Sequence, residues 1–157
     1  MKTPSRFTVL LSAGCLALSV LGGCAKHNAM HRRPSTSAAY KSLYSRLGRK
    51  AGITKVVNAF VARVAKDNRI NGKFKHTNIP HLKKQLVAFF GHLTGGPEVY
   101  TGKDMQAAHR GMNITEAQWK AFMEDFTLTL KAEKVSPTAQ AELLGQMEPM
   151  KSDIVHK

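Results

Sequence analysis

Apolar residues along the central part of the chain recur at steps of three and four. Ile53, Val56, Val57, Phe60, Val61 and Val64 fall on one face and predict a buried amphipathic helix. A shorter helical segment precedes it and ends near Gly48. Lys66-Asp67-Asn68-Arg69 and Asn71-Gly72 break the pattern, and the chain passes Phe74 before Asn78 and Pro80 restart a helix. That helix carries Leu82, Leu86, Phe89, Phe90 and Leu93 on one side, and a glycine- and proline-bearing loop, Thr94–Gly102, follows it. A brief helix around Met105–Arg110 holds His109, and Gly111 is the expected stop. Thr115 and Gln118 match a capping box opening a helix with Trp119, Phe122, Met123, Phe126 and Leu130 inward. The last helix starts at Ser136-Pro137, carries Leu143, Leu144 and Met147, and meets Pro149, which kinks or ends it before a short tail. No segment alternates with period two, so the expected fold class is all-α, without internal repeats.

The N-terminal stretch is different. Met1–Arg6 carries Lys2 and Arg6, Phe7–Leu21 is uncharged and apolar, and Gly22-Gly23-Cys24 follows. A membrane-spanning helix needs about 20 apolar residues, and this run is shorter and ends in small residues, as a secretory signal does. Leu21-Gly22-Gly23-Cys24 resembles the lipobox of bacterial lipoproteins, which implies cleavage before Cys24 and acylation of its thiol. The other cysteine, Cys15, lies in the removed segment and leaves Cys24 without a disulfide partner. The expected organisation is a signal peptide over 1–23, a lipid-anchored tether over 24–40 and a folded domain over 41–157. The tether is polar, with Pro34-Ser35-Thr36-Ser37; its His27 and His31 lack further ligands and read as an incidental pair. Ala25, rather than Asp, after the cysteine points by the same resemblance to export, in a Gram-negative cell to the periplasm-facing outer membrane.

The 157 residues allow one domain with a real core, at an ordinary balance of 43% hydrophobic and 22% charged. The formal charge of +14 falls to +12 once Lys2 and Arg6 leave with the signal. For an exported protein such a basic field suits an anionic lipid surface rather than nucleic acid, alongside the plainer reading of a solvated basic face. There is no phosphate-cradling glycine loop with lysine, no paired-cysteine zinc motif and no nucleophile elbow. Periodicity alone does not distinguish His109 among seven histidines.

The order of landmarks does. Gly52-Ile53, Val56-Val57, Phe60, Arg63-Val64, then Phe89-Phe90, Gly95-Gly96-Pro97, Tyr100-Thr101-Gly102, then Met105, Ala108-His109, Gly111 and Ile114-Thr115 resemble the group 1 truncated haemoglobins, from about Leu43 to Val155. The resemblance implies a two-over-two sandwich of globin helices and a haem cofactor, with His109 as the proximal iron ligand. Phe74 takes the position of the phenylalanine that packs on the porphyrin. Val61, Leu82, Gln85, Leu86, Phe89, Phe90, Tyr100, Met105, Met112, Ile114, Trp119 and Phe126 are candidates to line the pocket, or ordinary core residues at helical spacing. Lys83, Lys84 and Lys103 are candidates to pair with the propionates, or parts of a solvated face.

The departures from the family bear on function. Val61 stands where the family commonly has Tyr, and Leu82 and Leu86 stand at the two usual distal glutamine positions, leaving Gln85 as the nearest polar candidate. Each lost hydrogen bond to a polarised gas costs about 1.5–3 kcal/mol, or roughly 10- to 150-fold in affinity. His81, Lys84 and His76 are candidates for a sixth ligand. The expected function is reversible binding of a diatomic gas (O₂, NO or CO), with an unidentified reductase as partner. The alternatives are an NO dioxygenase or peroxidase-like enzyme, which needs distal donors, and a haem-free basic lipoprotein.

Overall fold

The computed structural model describes residues 41–157, so the leader, Cys24 and the tether lie outside the described residues. Among the described residues seven α-helices follow in order: α1 (Leu43–Arg46), α2 (Arg49–Val64), α3 (Ile79–Leu93), α4 (Met105–His109), α5 (Glu116–Ala132), α6 (Pro137–Met147) and α7 (Lys151–Ile154). Two 3₁₀ turns, Asn71–Phe74 and Glu148–Met150, lie between α2 and α3 and between α6 and α7.

Local chemistry sets the boundaries. The side chains of Asn78, Asp104, Thr115 and Ser136 each accept a backbone N–H in the first turn of α3, α4, α5 and α6. At α5 the capping box is complete, since Gln118 accepts from the Thr115 backbone N–H in return. Pro80 and Pro137 occupy first-turn positions, where the missing N–H costs nothing.

All six residues of the α2 stripe are buried, and α2 packs against both α3 and α5. Fully burying each such side chain stabilises by about 1.5–3 kcal/mol relative to exposure. At the crossing, the Phe60 ring meets Phe126 edge-on at 5.1 Å, and Phe90 stacks on Phe126 at 5.2 Å. Phe126 is completely buried, so it fixes the spacing of α2, α3 and α5 at once.

The C-terminus departs from the expected tail. Pro149 does end α6, but the chain turns through the 3₁₀ segment into α7 and buries Ile154 and Val155 against Trp119. Val155 forms a single parallel bridge with Ile114, and the His156 N–H donates to the Ile114 carbonyl at 2.8 Å. This ties the C-terminus to the segment that follows α4. Among the described residues no helix is long and apolar enough to cross a membrane.

Candidate functional site

α4 is five residues long and buries none of them fully, yet it places one histidine with care. The Asp104 carboxylate caps it through Ala107 N–H at 2.6 Å, and Gly111, with φ +77°, turns the chain away where a side chain would be strained. Met105 and His109 stand four apart on the same helical face. His109 Nδ1 lies 2.8 Å from the Met105 carbonyl oxygen. A carbonyl can only accept, so Nδ1 carries the proton and the Nε2 lone pair is left free of that bond. A half-buried imidazole oriented in this way is a donor prepared for a metal.

The segment after His109 is held from several sides. Met112 N–H donates to the His109 carbonyl at 3.0 Å, and the Lys73 ammonium, from the first 3₁₀ turn, donates to the Met112 carbonyl at 2.7 Å. The bridge from Ile114 to Val155 holds its far end. Sequence reasoning missed Lys73, because a four-residue 3₁₀ turn carries no periodic signal.

Apolar side chains only partly withdrawn from solvent line α3 and the loop that leads to α4. In α3 only Phe90 and Gly91 are fully buried, while Leu82, Leu86 and Phe89 remain half-buried on one stripe. Phe89 meets the Tyr100 ring at 5.4 Å, in the loop leading to α4. The Tyr100 hydroxyl donates to the Lys103 carbonyl at 2.7 Å, and burial, helped by Asp104, pushes its pKa above the usual phenol value. α5 joins the two sides. Trp119 packs with Met105 and Ile114, stacks on Phe122 at 5.9 Å, and Phe122 in turn reaches Phe60 at 5.0 Å.

The sequence-predicted residues therefore occupy different surroundings. Val61, Phe90, Trp119 and Phe126 are buried, Val61 with 8% exposure and Phe126 with none. Phe74, Leu82, Gln85, Leu86, Phe89, Tyr100, Met105, His109, Met112 and Ile114 are half-buried. Gln85 Nε2 lies 3.5 Å from His81 Nε2 on the exposed margin of α3. His76 and Lys103 are exposed. Lys83 and Lys84 line a groove beside α2 with Val87 and Ala88; at 100° per residue Lys84 lies roughly opposite Leu82 and Leu86, and Lys83 lies between the two sides. Among the described residues no cluster of three His, Cys, Asp or Glu side chains forms a conventional metal site. A flat apolar group held through one imidazole nitrogen fits the half-buried stripes and the oriented Nε2 better than a bare ion does.

Comparison with known proteins agrees with this architecture. The family model described as bacterial-like globin matches residues 42–156. A group 1 truncated haemoglobin of Tetrahymena thermophila is 34% identical over 116 residues, covering 74% of this chain and 96% of the relative. One from Mycolicibacterium paratuberculosis is 34% identical over 113 residues, covering 72% and 83%. Among solved structures, the Fe(III) truncated haemoglobin of Tetrahymena pyriformis superposes with a TM-score of 0.72 at 32% identity, covering 74% of this chain and all of that one. The 2/2 haemoglobin of a Synechococcus, solved in the cyanomet state with covalently attached haem, gives 0.69 at 28%, covering 73% and 98%. With its two-over-two helical fold and a match that spans nearly all the described residues, the chain belongs to the bacterial-like globins as a group 1 truncated haemoglobin.

Proposed function

We propose that this globin binds haem through His109 and takes up a diatomic gas reversibly in a pocket poor in hydrogen-bond donors. The carrying observation is the 2.8 Å contact between His109 Nδ1 and the Met105 carbonyl, which leaves Nε2 available. Ferrous haem, when bound, supplies the centre at which a gas such as O₂, NO or CO attaches. The protein's part is to hold and shield it. Phe74, Leu82, Leu86, Phe89 and Met105 offer apolar surface to the macrocycle, and burying that surface is favourable at about 25 cal/mol per Å². Val61, Leu82 and Leu86 carry no donor, so the distal side excludes water without stabilising a polar ligand. These features favour gas binding and release over oxygen chemistry, which depends on placed donors.

Export and anchoring belong to the same proposal, supported by the Leu21-Gly22-Gly23-Cys24 motif and the lone thiol. On this reading the domain is tethered to a membrane of the cell envelope, and a reductase that keeps the iron ferrous is a required partner. Titration of purified protein with haem tests the core of it. A one-to-one endpoint with a sharp Soret band is expected, and only nonspecific haem uptake overturns the proposal.

A further inference from the structure

We propose that the groove between α2 and α3, whose lining includes neither Leu82 nor Leu86, is an anion site that takes a phosphorylated ligand. The groove has a volume of about 410 Å³. Lys50 from α2 and Lys83 and Lys84 from α3 line it, with Thr54 and Asn58 between them. Like charges drawn into one concavity repel each other unless an anion is shared among them. Among the described residues four basic side chains elsewhere pair with acids: Lys55 with Glu133, Lys151 with Glu116, Arg69 with Asp67 and Glu124, and Arg46 with Glu142. Among the described residues none of the three groove lysines forms an ion pair, and unlike the other unpaired lysines they share one concavity.

The groove's one acid, Glu98, is turned inward. Its Oε1 accepts from the Tyr44 hydroxyl at 2.9 Å, and that hydroxyl accepts in turn from Lys50 N–H at 3.0 Å. Its Oε2 is buried under Gly91 and Gly96, where a Cβ at either position would come within 2.5 Å of that oxygen. Two glycines are thus needed to seat this carboxylate behind the lining. The lysines are left to face solvent over a lining of net charge +2. An anion of matching charge, such as a phosphate monoester, suits three mobile ammonium groups. The volume exceeds what inorganic phosphate requires, and Val87, Ala88 and the largely exposed Val99 give one wall apolar character. The ligand is therefore a phosphate ester with an apolar portion, either a soluble ester or the headgroup of an anionic lipid.

The test uses full-length protein, with phenyl phosphate as the soluble probe and vesicles of phosphatidylcholine with phosphatidic acid, three to one, as the lipid probe. The variant is Lys50→Gln/Lys83→Gln/Lys84→Gln. Its control, Lys66→Gln/Lys120→Gln/Lys131→Gln, removes the same charge at exposed positions elsewhere. Each exposed ammonium–phosphate pair is worth about two- to fivefold in affinity, so the groove variant should bind at least roughly tenfold more weakly while the control stays near wild type. Loss with phenyl phosphate supports a soluble ester; loss with vesicles alone supports a lipid headgroup. No binding of either probe by wild type, or equal losses in the two variants with unchanged helical circular dichroism, overturns the proposal.

Discussion

Replacing Leu86 with glutamine puts an amide donor on the stripe of α3 that carries Leu82 and Phe89. The cost to the fold is small. Leucine and glutamine have similar helix propensities, and Leu86 is half-buried, so the lost apolar contact is worth about 1 kcal/mol, roughly half the value for full burial. The gain is a hydrogen bond to a ligand that carries partial negative charge, about 1.5–3 kcal/mol, or roughly 10- to 150-fold slower release. Stopped-flow O₂ dissociation from the reduced protein reads this directly, with CO as the reference because it carries little charge. Leu86→Met, which keeps the volume and adds no donor, separates polarity from shape. Slower O₂ release in Leu86→Gln, with CO release and Leu86→Met near wild type, is the expected result. Unchanged O₂ release, or equal slowing of both gases, would refute the view that missing donors govern this pocket.

Other consequences are as direct. Phe126→Ala removes a fully buried ring packed on Phe60 and Phe90 and should cost about 3–5 kcal/mol in urea unfolding of the haem-free protein; a loss below 1 kcal/mol would show that the core is organised otherwise. Burial, with the charge of Asp67 nearby, raises the pKa of Asp125, so the stability that group contributes is full below its unfolded value and is lost as pH rises through the folded one. Asp125→Asn should therefore raise Tm at pH 7, with the gain fading as the pH falls towards the unfolded carboxyl range; a pH-independent difference would contradict this. Asp67 has the opposite sign: hydrogen bonds from Arg69 hold its carboxyl below the usual range, so its contribution persists above the unfolded pKa and is lost only as acid titrates the folded group. Cys24→Ala should release the protein from membranes, and unchanged membrane association would remove the lipid anchor.

What the sequence disclosed follows from which interactions are local. The caps at Asn78, Thr115 and Ser136 involve residues within one turn, so residue type and spacing are enough to find them. The 3₁₀ turn at Asn71–Phe74 is too short to set up a period, and its Lys73–Met112 contact spans 39 positions. Ile154 and Val155 beyond Pro149 look like a free end until Trp119 and Ile114 are seen to cover them. α3 was legible as a helix, and the wheel sets Lys84 opposite Leu82 and Leu86, with Lys83 between. That α2 lies across from those lysines, and that Glu98 is seated under two glycines, are tertiary facts with no local signature. His109 is the opposite case. Its spacing is uninformative, and the order of landmarks around it singles it out; the structure then adds the tautomer through the Met105 carbonyl.

The claim at the centre is that His109 Nε2 holds the haem iron. It is tested most directly by His109→Gly, in which a substitution at the last residue of α4 leaves the preceding cap in place. Haem titration followed in the ferric, ferrous and CO-bound states, without and with added imidazole, is the measurement. The account predicts weakened binding and an altered ferrous spectrum in the variant, with imidazole restoring the wild-type bands by occupying the missing ring's place. Wild-type affinity and spectra in His109→Gly without imidazole would contradict it, and the iron ligand would have to be sought on another element.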